Sequence, residues 1–482
     1  MQALIGPLQE LAEFEAIQKE KQKEAGVLQI SGCVNSQKTH MMYALGDGCK
    51  YRVIACSSES KARQVYEEYH MLDPETYFYP AKDFLFYQAD IRSKELQESR
   101  MTVVQAILEE KPLTVVVSFD AFMDALPVKG AMKDRVIRIE NGQTLDFDEI
   151  RKALTENGYD REEQVDGPGQ FAIRGGILDI YPLTGELPVR IELWGDEVDS
   201  IRSFDTDSQR SVQNLDEAVI YPADELPGRP GKRVSFLEYF PPEDTLVFLD
   251  EPTRLVEKGE AVEQEFVEAQ AKRVESGYEI SDDEMELYET AEIVKRMNTY
   301  YCIGLSALDT HGNGFRFRNK FSINTKSVNP YNNSFEMLTR DLKRLKRNDY
   351  RVILLSGSRT RAKRLAEDLR DYNLSSYYSE EQDREVQPGE IMTAYGHVAE
   401  GYEYPMLKFT VISETDIFGK VRKKRKRKKY EGRKIRDFTE LKVGDYVVHE
   451  NHGVGIYQGI EKIESDKIAK DYMKISYAAG GN

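Results

Sequence analysis

Residues 164 to 211 constrain the fold of this chain more than any other stretch. They read QVDGPGQFAIRGGILDIYPLTGELPVRIELWGDEVDSIRSFDTDSQRS. Three short extended runs, Ile177 to Tyr181, Pro188 to Leu193 and Val198 to Phe204, are separated by turn residues at Thr184-Gly185 and Gly195-Asp196. Short runs joined by tight turns predict an antiparallel meander. In the middle run Val189, Ile191 and Leu193 point to one face, and Arg190, Glu192 and Trp194 to the other. The aliphatic face is the core face. Trp194, the only tryptophan in 482 residues, is therefore left with Arg190 on the outer face. Two readings of that face stand open. Either a second layer covers Trp194, or Trp194 and Arg190 belong to a docking surface, since Trp and Arg are enriched at interface hot spots. Arg174 precedes Gly175-Gly176, where a bulge would turn it toward the same surface. Together the three are expected to form one exposed patch.

The rest of the chain is α/β in character. A length of 482 residues is too long for a single core. Hydrophobic content of 40% and charged content of 31% are ordinary for a globular protein. No apolar run approaches the ~18 residues of a membrane span, and the start of the chain reads as an amphipathic helix, so a cytoplasmic protein is expected. Cys33, Cys49, Cys56 and Cys302 contain no CxxC pair and read as free thiols. Net charge is −17, but residues 420 to 436 hold twelve Lys or Arg against Glu431 alone, which leaves the remainder at −28. Such a body does not suit general DNA binding. The basic run reads as a linker, with phosphate contact or docking on an acidic protein as its alternatives.

Strands at Gly26 to Ser31, Tyr51 to Cys56 and Thr114 to Ser118 alternate with helices from about Lys38 to Leu45 and Glu59 to Met71. This predicts a parallel nucleotide-binding type of sheet. Gly32 to Thr39 lies where a phosphate loop belongs. Gly32, Lys38 and Thr39 fit G-x-x-x-x-G-K-[ST], but Gln37 replaces the glycine before the lysine. A side chain there closes the space the phosphates need. Asp250-Glu251, after TLVFL, imitates a Walker B carboxylate pair. The loop is read as degenerate, with no catalytic residue and no cofactor. Tyr77, Phe78, Tyr79, Phe84, Phe86 and Tyr87 form an aromatic cluster, read as core packing rather than base stacking.

Residues 331 to 420 read as a separate small α/β unit with helices at Phe335 to Leu345 and Thr360 to Asp371. The last segment, from 438 to 482, is β throughout, with Gly453, Gly455 and Gly459 allowing the bends of a small barrel. His449 and His452 in HENH do not match the HExxH zinc pattern, so no metal is expected.

Three stretches carry a family resemblance: GQFAIRGGILDIYP, RIELWGDEVDSIRSFD and DSQRS. They resemble the second domain shared by the damage-verifying helicase UvrB and the transcription-repair coupling factors. The DSQRS ending looks more like the coupling factors. GDYVVHENHGVGIYQGI resembles the CarD-like domain of the same family. The resemblance implies a multidomain architecture. A degenerate RecA-like domain (1–126 and 214–330) is interrupted by an inserted α+β domain (127–213), and the small α/β unit, the basic linker (421–437) and the CarD-like barrel follow. It implies that Arg174, Arg190 and Trp194 contact UvrA, and that Ile463 contacts the RNA polymerase β subunit; Lys462 and Tyr457 are added as contacts by their closeness in sequence to Ile463. It also implies that the UvrA-binding surface is masked at rest by a later domain. Further barrel strands and an ATP- and Mg-dependent double-stranded DNA translocase are expected beyond Asn482. A UvrB-like ATP-dependent repair helicase is the alternative, opposed by Gln37 and by the absence of a long hairpin after the aromatic cluster.

Overall fold

The computed structural model describes residues 2–21, 23–82, 94–225, 231–275, 287–381, 384–419, 444, 446–449, 453–465 and 468–477. After N-terminal helices at Gln2–Ile5 and Ala12–Glu20, the elements continue with β1 (Gly26–Ser31), α1 (Asn35–Leu45), β2 (Tyr51–Cys56), α2 (Glu59–His70), β3 (Thr76–Tyr79), α3 (Lys94–Leu108) and β4 (Leu113–Ser118). The next are α4 (Phe147–Glu156), β5 (Asp160–Arg161), β6 (Gln170–Arg174), β7 (Ile177–Tyr181), β8 (Val189–Trp194), β9 (Glu197–Phe204) and β10 (Ser211–Leu215). The chain then returns through β11 (Thr245–Asp250), α5 (Pro252–Glu275), α6 (Thr290–Met297), β12 (Tyr301–Ser306) and β13 (Phe317–Ser322).

Strands β13-β1-β12-β11-β2-β4-β3 form one seven-stranded sheet, parallel throughout. Strands β4 and β11 are buried along their whole length, which is why VVV and LVFL are continuous apolar runs rather than alternating ones. The excursion between β4 and β11 builds a second sheet of six strands, β10-β9-β8-β7-β6-β5. It is antiparallel from β6 to β10, and the predicted three-strand meander is its centre.

A third sheet follows from β14 (Lys326–Ser327), α7 (Phe335–Arg347), β15 (Arg351–Ser356), α8 (Arg359–Asp371), β16 (Tyr377–Tyr378), β17 (Ile391–Tyr395), β18 (Tyr402–Tyr404), β19 (Phe409–Ser413) and α9 (Glu414–Phe418). Its strand order is β14-β18-β19-β15-β17-β16. Alternation along β15 divides the packing. Val352 and Leu354 share a core with Leu338 and Leu342 of α7 and Leu365 and Leu369 of α8. Ile353 and Leu355 belong to the core that contains β1, α1 and the N-terminal helices. The third sheet is thus packed against the first domain on one face and covered by α7 and α8 on the other.

The last strands, β20 (Tyr446–His449), β21 (Gly453–Ser465) and β22 (Ile468–Tyr477), form a three-stranded antiparallel sheet. Among the described residues this sheet is what stands of the expected barrel. The basic run 420 to 436, His452 and the aromatics Phe84, Phe86 and Tyr87 lie outside the described residues. Helix α5 begins at Pro252 and is described to Glu275.

Candidate functional site

The outer face of the six-stranded sheet is built around one buried carboxylate. Asp179 sits in the middle of the run ILDIY and is fully buried. Cross-strand register places it between Ala172 of β6 and Arg190 of β8. A lone carboxylate without water must be paired, and two arginines do this. Arg190 donates from Nε to Asp179 Oδ1 at 2.7 Å and from Nη2 to Oδ2 at 2.9 Å. Arg174 donates from Nη2 to Oδ2 at 2.8 Å. Arg190 also lies over the Phe204 ring, 4.2 Å from its centroid, and donates to Gln209 Oε1 at 2.8 Å.

The DSQRS stretch is what brings Gln209 to this point. Asp205 Oδ1 accepts from the Ser208 backbone and hydroxyl, the turn closes on itself, and Gln209 adopts a left-handed φ of 57°. Val165, Ala172 and Phe204 form a small core on this outer face. The face is therefore half covered. The cover lies over Arg190, whose side chain is only 13% exposed, and leaves Trp194 open at 83%.

This corrects two expectations. The three side chains do not form one uniformly exposed patch, because Arg190 is held beneath a second layer by Asp179, Phe204 and Gln209. Nor does a bulge turn Arg174. Gly175-Gly176 is the two-residue turn of the β6–β7 hairpin, with Gly175 at φ +60°. The bulge lies instead in β9, where the register with β8 shifts between Glu192 and Leu193. It keeps Val198 and Ile201 both buried, and β8 continues its own alternation so that Trp194 still faces outward.

The hairpin turns at Gly175-Gly176 and Gly195-Asp196 lie at the same end of the sheet, since the Leu193 amide donates to Gly176 O at 2.8 Å. Arg174, 46% exposed, and Trp194 flank that end. Arg174 thus presents charge and Trp194 a large apolar surface at one rim, on a backbone fixed by strand pairing. A rim of this kind suits a protein partner.

The degenerate phosphate loop has also been rebuilt. Helix α1 begins at Asn35, three residues before the predicted start, which places Gln37 at its third position. The Gln37 side chain is fully buried. Its Oε1 accepts from the Val34 amide at 3.1 Å, and its Nε2 donates to the Tyr404 hydroxyl at 2.9 Å. Tyr404 also meets His40 Nδ1 at 2.9 Å, and His40 Nε2 meets Leu4 O at 2.9 Å. Burial pushes the His40 imidazole down to about 4, so it is neutral.

Lys38 does not face an open cradle. Its ammonium contacts Asp250 Oδ1 at 2.7 Å and Glu251 Oε1 at 2.5 Å. Burial opposes its charge, but these two carboxylates outweigh it and hold the Lys38 pKa above the ordinary value. Gly32 has φ +82°, and a Cβ there would lie 1.9 Å from Ile323 O. Thr39 is buried. Gln37 and Lys38 are thus engaged within the protein, and Gly32 lies against the backbone of Ile323. Burial also pushes the Cys33 thiol up to about 12 and raises Cys56 and Cys302, which argues against thiolate chemistry at these positions.

In the C-terminal sheet, Ile463 and Lys462 are register partners of Lys470 and Asp471. Tyr457 is buried, at 4% exposure, and so supports the sheet instead of presenting a contact. Among the described residues no His, Cys, Asp or Glu cluster could hold a metal, and no helix is long and apolar enough to cross a membrane.

A family model described as the UvrB interaction domain matches residues 137–226, and one described as the CarD-like/TRCF RID domain matches residues 441–482. Among curated proteins, the chain is 31% identical over 467 residues to the transcription-repair-coupling factor of Bacillus subtilis (strain 168). It is 27% identical over 465 residues to that of Staphylococcus haemolyticus (strain JCSC1435), and 26% identical over 465 residues to that of Staphylococcus aureus (strain MRSA252). In each case the match covers 84% of this chain and 39% of the relative. The chain belongs to the transcription-repair coupling factor family, in the part of it that carries the UvrB interaction and CarD-like/TRCF RID domains.

Proposed function

We propose that this chain is the recruiting part of a transcription-repair coupling factor: it binds UvrA through the rim carrying Arg174 and Trp194, and RNA polymerase through the CarD-like segment. The observation that carries this reading is the exposure of Trp194, at 83%, on the face whose arginines are anchored by a buried carboxylate. Arg190 acts as a positioning residue. It neutralises Asp179 and fixes the sheet surface from which Arg174 and Trp194 project. The match of residues 137–226 to a UvrB interaction domain supports the UvrA half, and that of residues 441–482 to a CarD-like/TRCF RID domain supports the polymerase half. For the latter we assign Ile463 as the apolar contact to the polymerase β subunit, with Lys462 beside it, in a small β-barrel completed by further strands.

The degenerate first domain serves as a scaffold that binds no nucleotide. Gln37 fills the loop, and Lys38 is neutralised by Asp250 and Glu251. Catalysis by the whole protein, an ATP- and Mg-dependent translocation on double-stranded DNA that removes stalled polymerase in the cytoplasm, belongs to segments other than the one described. Co-purification of the chain with UvrA, and separately with the polymerase β subunit, tests the reading. Both are expected to be retained without ATP, and failure to retain UvrA would remove the first half.

A further inference from the structure

The outer layer of the third sheet has a different character from the rest of the chain. Helices α7 and α8 contain ten Lys or Arg against five Asp or Glu, in a chain where acids outnumber bases 84 to 67. Leu338, Leu342 and Leu345 of α7 and Ala362, Leu365, Ala366 and Leu369 of α8 are buried beneath. Helical periodicity therefore sends Arg340, Lys343 and Arg347, and on α8 Arg364, outward. All four are exposed.

Three of their basic neighbours are ion-paired. Arg344 is paired with Asp341, Arg361 with Glu414 and Lys363 with Glu380. Arg340, Lys343, Arg347 and Arg364 have no ion-pair partner among the described residues. Cations in the last turn of a helix complement its carbonyl end, which accounts for Arg347 but not for Arg340 in the middle of α7.

We propose that the outer face of α7 and α8 is a phosphate-binding surface that takes the backbone of double-stranded DNA. The α7 ridge offers a cation about every 5 Å of helix axis over Arg340 to Arg347, comparable with the one phosphate per 3.4 Å of each DNA strand. Three of these four outward cations are arginines, whose planar fork matches phosphate oxygens. The outward ridge lacks the aromatic anchor that a protein-binding face uses. The Tyr372 ring beside it is held against Phe335, at a centroid distance of 5.1 Å. A polyanion would be repelled by the acidic remainder of the molecule and gathered here.

The test compares the full chain with a variant carrying Arg340→Gln, Lys343→Gln, Arg347→Gln and Arg364→Gln. Glutamine keeps helix propensity while removing charge. Fluorescence anisotropy would follow a labelled DNA duplex of about 30 base pairs at several salt concentrations. The basic run 420 to 436 is present in both proteins, so the difference isolates the helix face. The variant is expected to lose at least about tenfold in affinity at low salt, and to show a log–log salt slope shallower by about 3. A milder variant, Arg340→Gln with Arg364→Gln, is expected to show about half that slope change, and serves if the fourfold variant does not fold. Equal affinity and equal slope would overturn the proposal. Weakened binding of the variants to polyglutamate with unchanged binding to the duplex would overturn it too, because the face would then be one for acidic protein.

Discussion

Arg190 and Asp179 are direct cross-strand partners, joined by two hydrogen bonds of 2.7 and 2.9 Å on the outer face of the six-stranded sheet. Asp179 has no exposed surface, and Arg174 reaches the same carboxylate from the next strand. Removing one partner of a buried pair leaves the other unneutralised, which costs about 3 kcal/mol or more. Asp179→Ala is therefore expected to lower unfolding stability by about that amount in urea titration, and to weaken UvrA binding although Asp179 contacts no partner. Wild-type stability in this variant would show that the pair is not what fixes the surface.

The contact between Gln37 and Tyr404 ties the former phosphate loop to the third sheet. Tyr404→Phe removes one hydroxyl and leaves Gln37 Nε2 and His40 Nδ1 buried without it. An unmet buried polar group costs about 1–3 kcal/mol, and denaturant titration is expected to register a loss in that range. Gln37→Gly is expected to destabilise as well, and to gain no heat of ATP–magnesium binding by calorimetry, because Lys38 remains held by Asp250 and Glu251. Micromolar ATP binding by either the wild type or this variant would contradict the scaffold role.

His40 links that network to pH. Its folded pKa, about 4, lies below the ordinary 6.5. The unfolded chain therefore takes up the proton first as pH falls. The stability tied to neutral His40 is fully present above pH 6.5, declines as pH falls toward 4, and is lost below it. The shift corresponds to about 3 kcal/mol. Replacing it by His40→Gln is expected to flatten the difference in unfolding free energy between pH 6.5 and pH 4, and a variant with an unchanged pH profile would rule this linkage out.

At the C-terminal sheet, Ile463→Arg is expected to weaken binding of the polymerase β subunit by about 2 kcal/mol, by placing an unpaired charge in an apolar contact. UvrA binding by the same protein is expected to be unchanged. Parallel loss of both would mean that the substitution unfolds the chain.

The parallel sheet, the meander and the packed helix α7 were legible because each has a sharp periodicity, continuous apolar in β4 and β11 and alternating in β8. The buried clamp was not read, although its signal was present: a lone aspartate inside ILDIY requires a cation once that strand is covered. Alternation assigns Arg190 to the outer face, but it does not reveal that Phe204 and the Val165 loop fold back over that face. Gln37 was legible as a defect in a phosphate loop. Its partner Tyr404 lies 367 residues away, and no local pattern connects them. Tyr457 was chosen by closeness in sequence to Ile463, and closeness says nothing about which way a ring points.

The central claim is that the open rim of the six-stranded sheet recruits UvrA. Its most direct test is the affinity of purified UvrA for the wild type and for Trp194→Ala, without ATP or polymerase, by surface plasmon resonance. Trp194 is 83% exposed, so its truncation should leave folding intact. The wild type is expected to bind, and the variant to lose about 2 kcal/mol, roughly thirtyfold in Kd. A folded Trp194→Ala protein that binds UvrA with wild-type affinity would contradict the account.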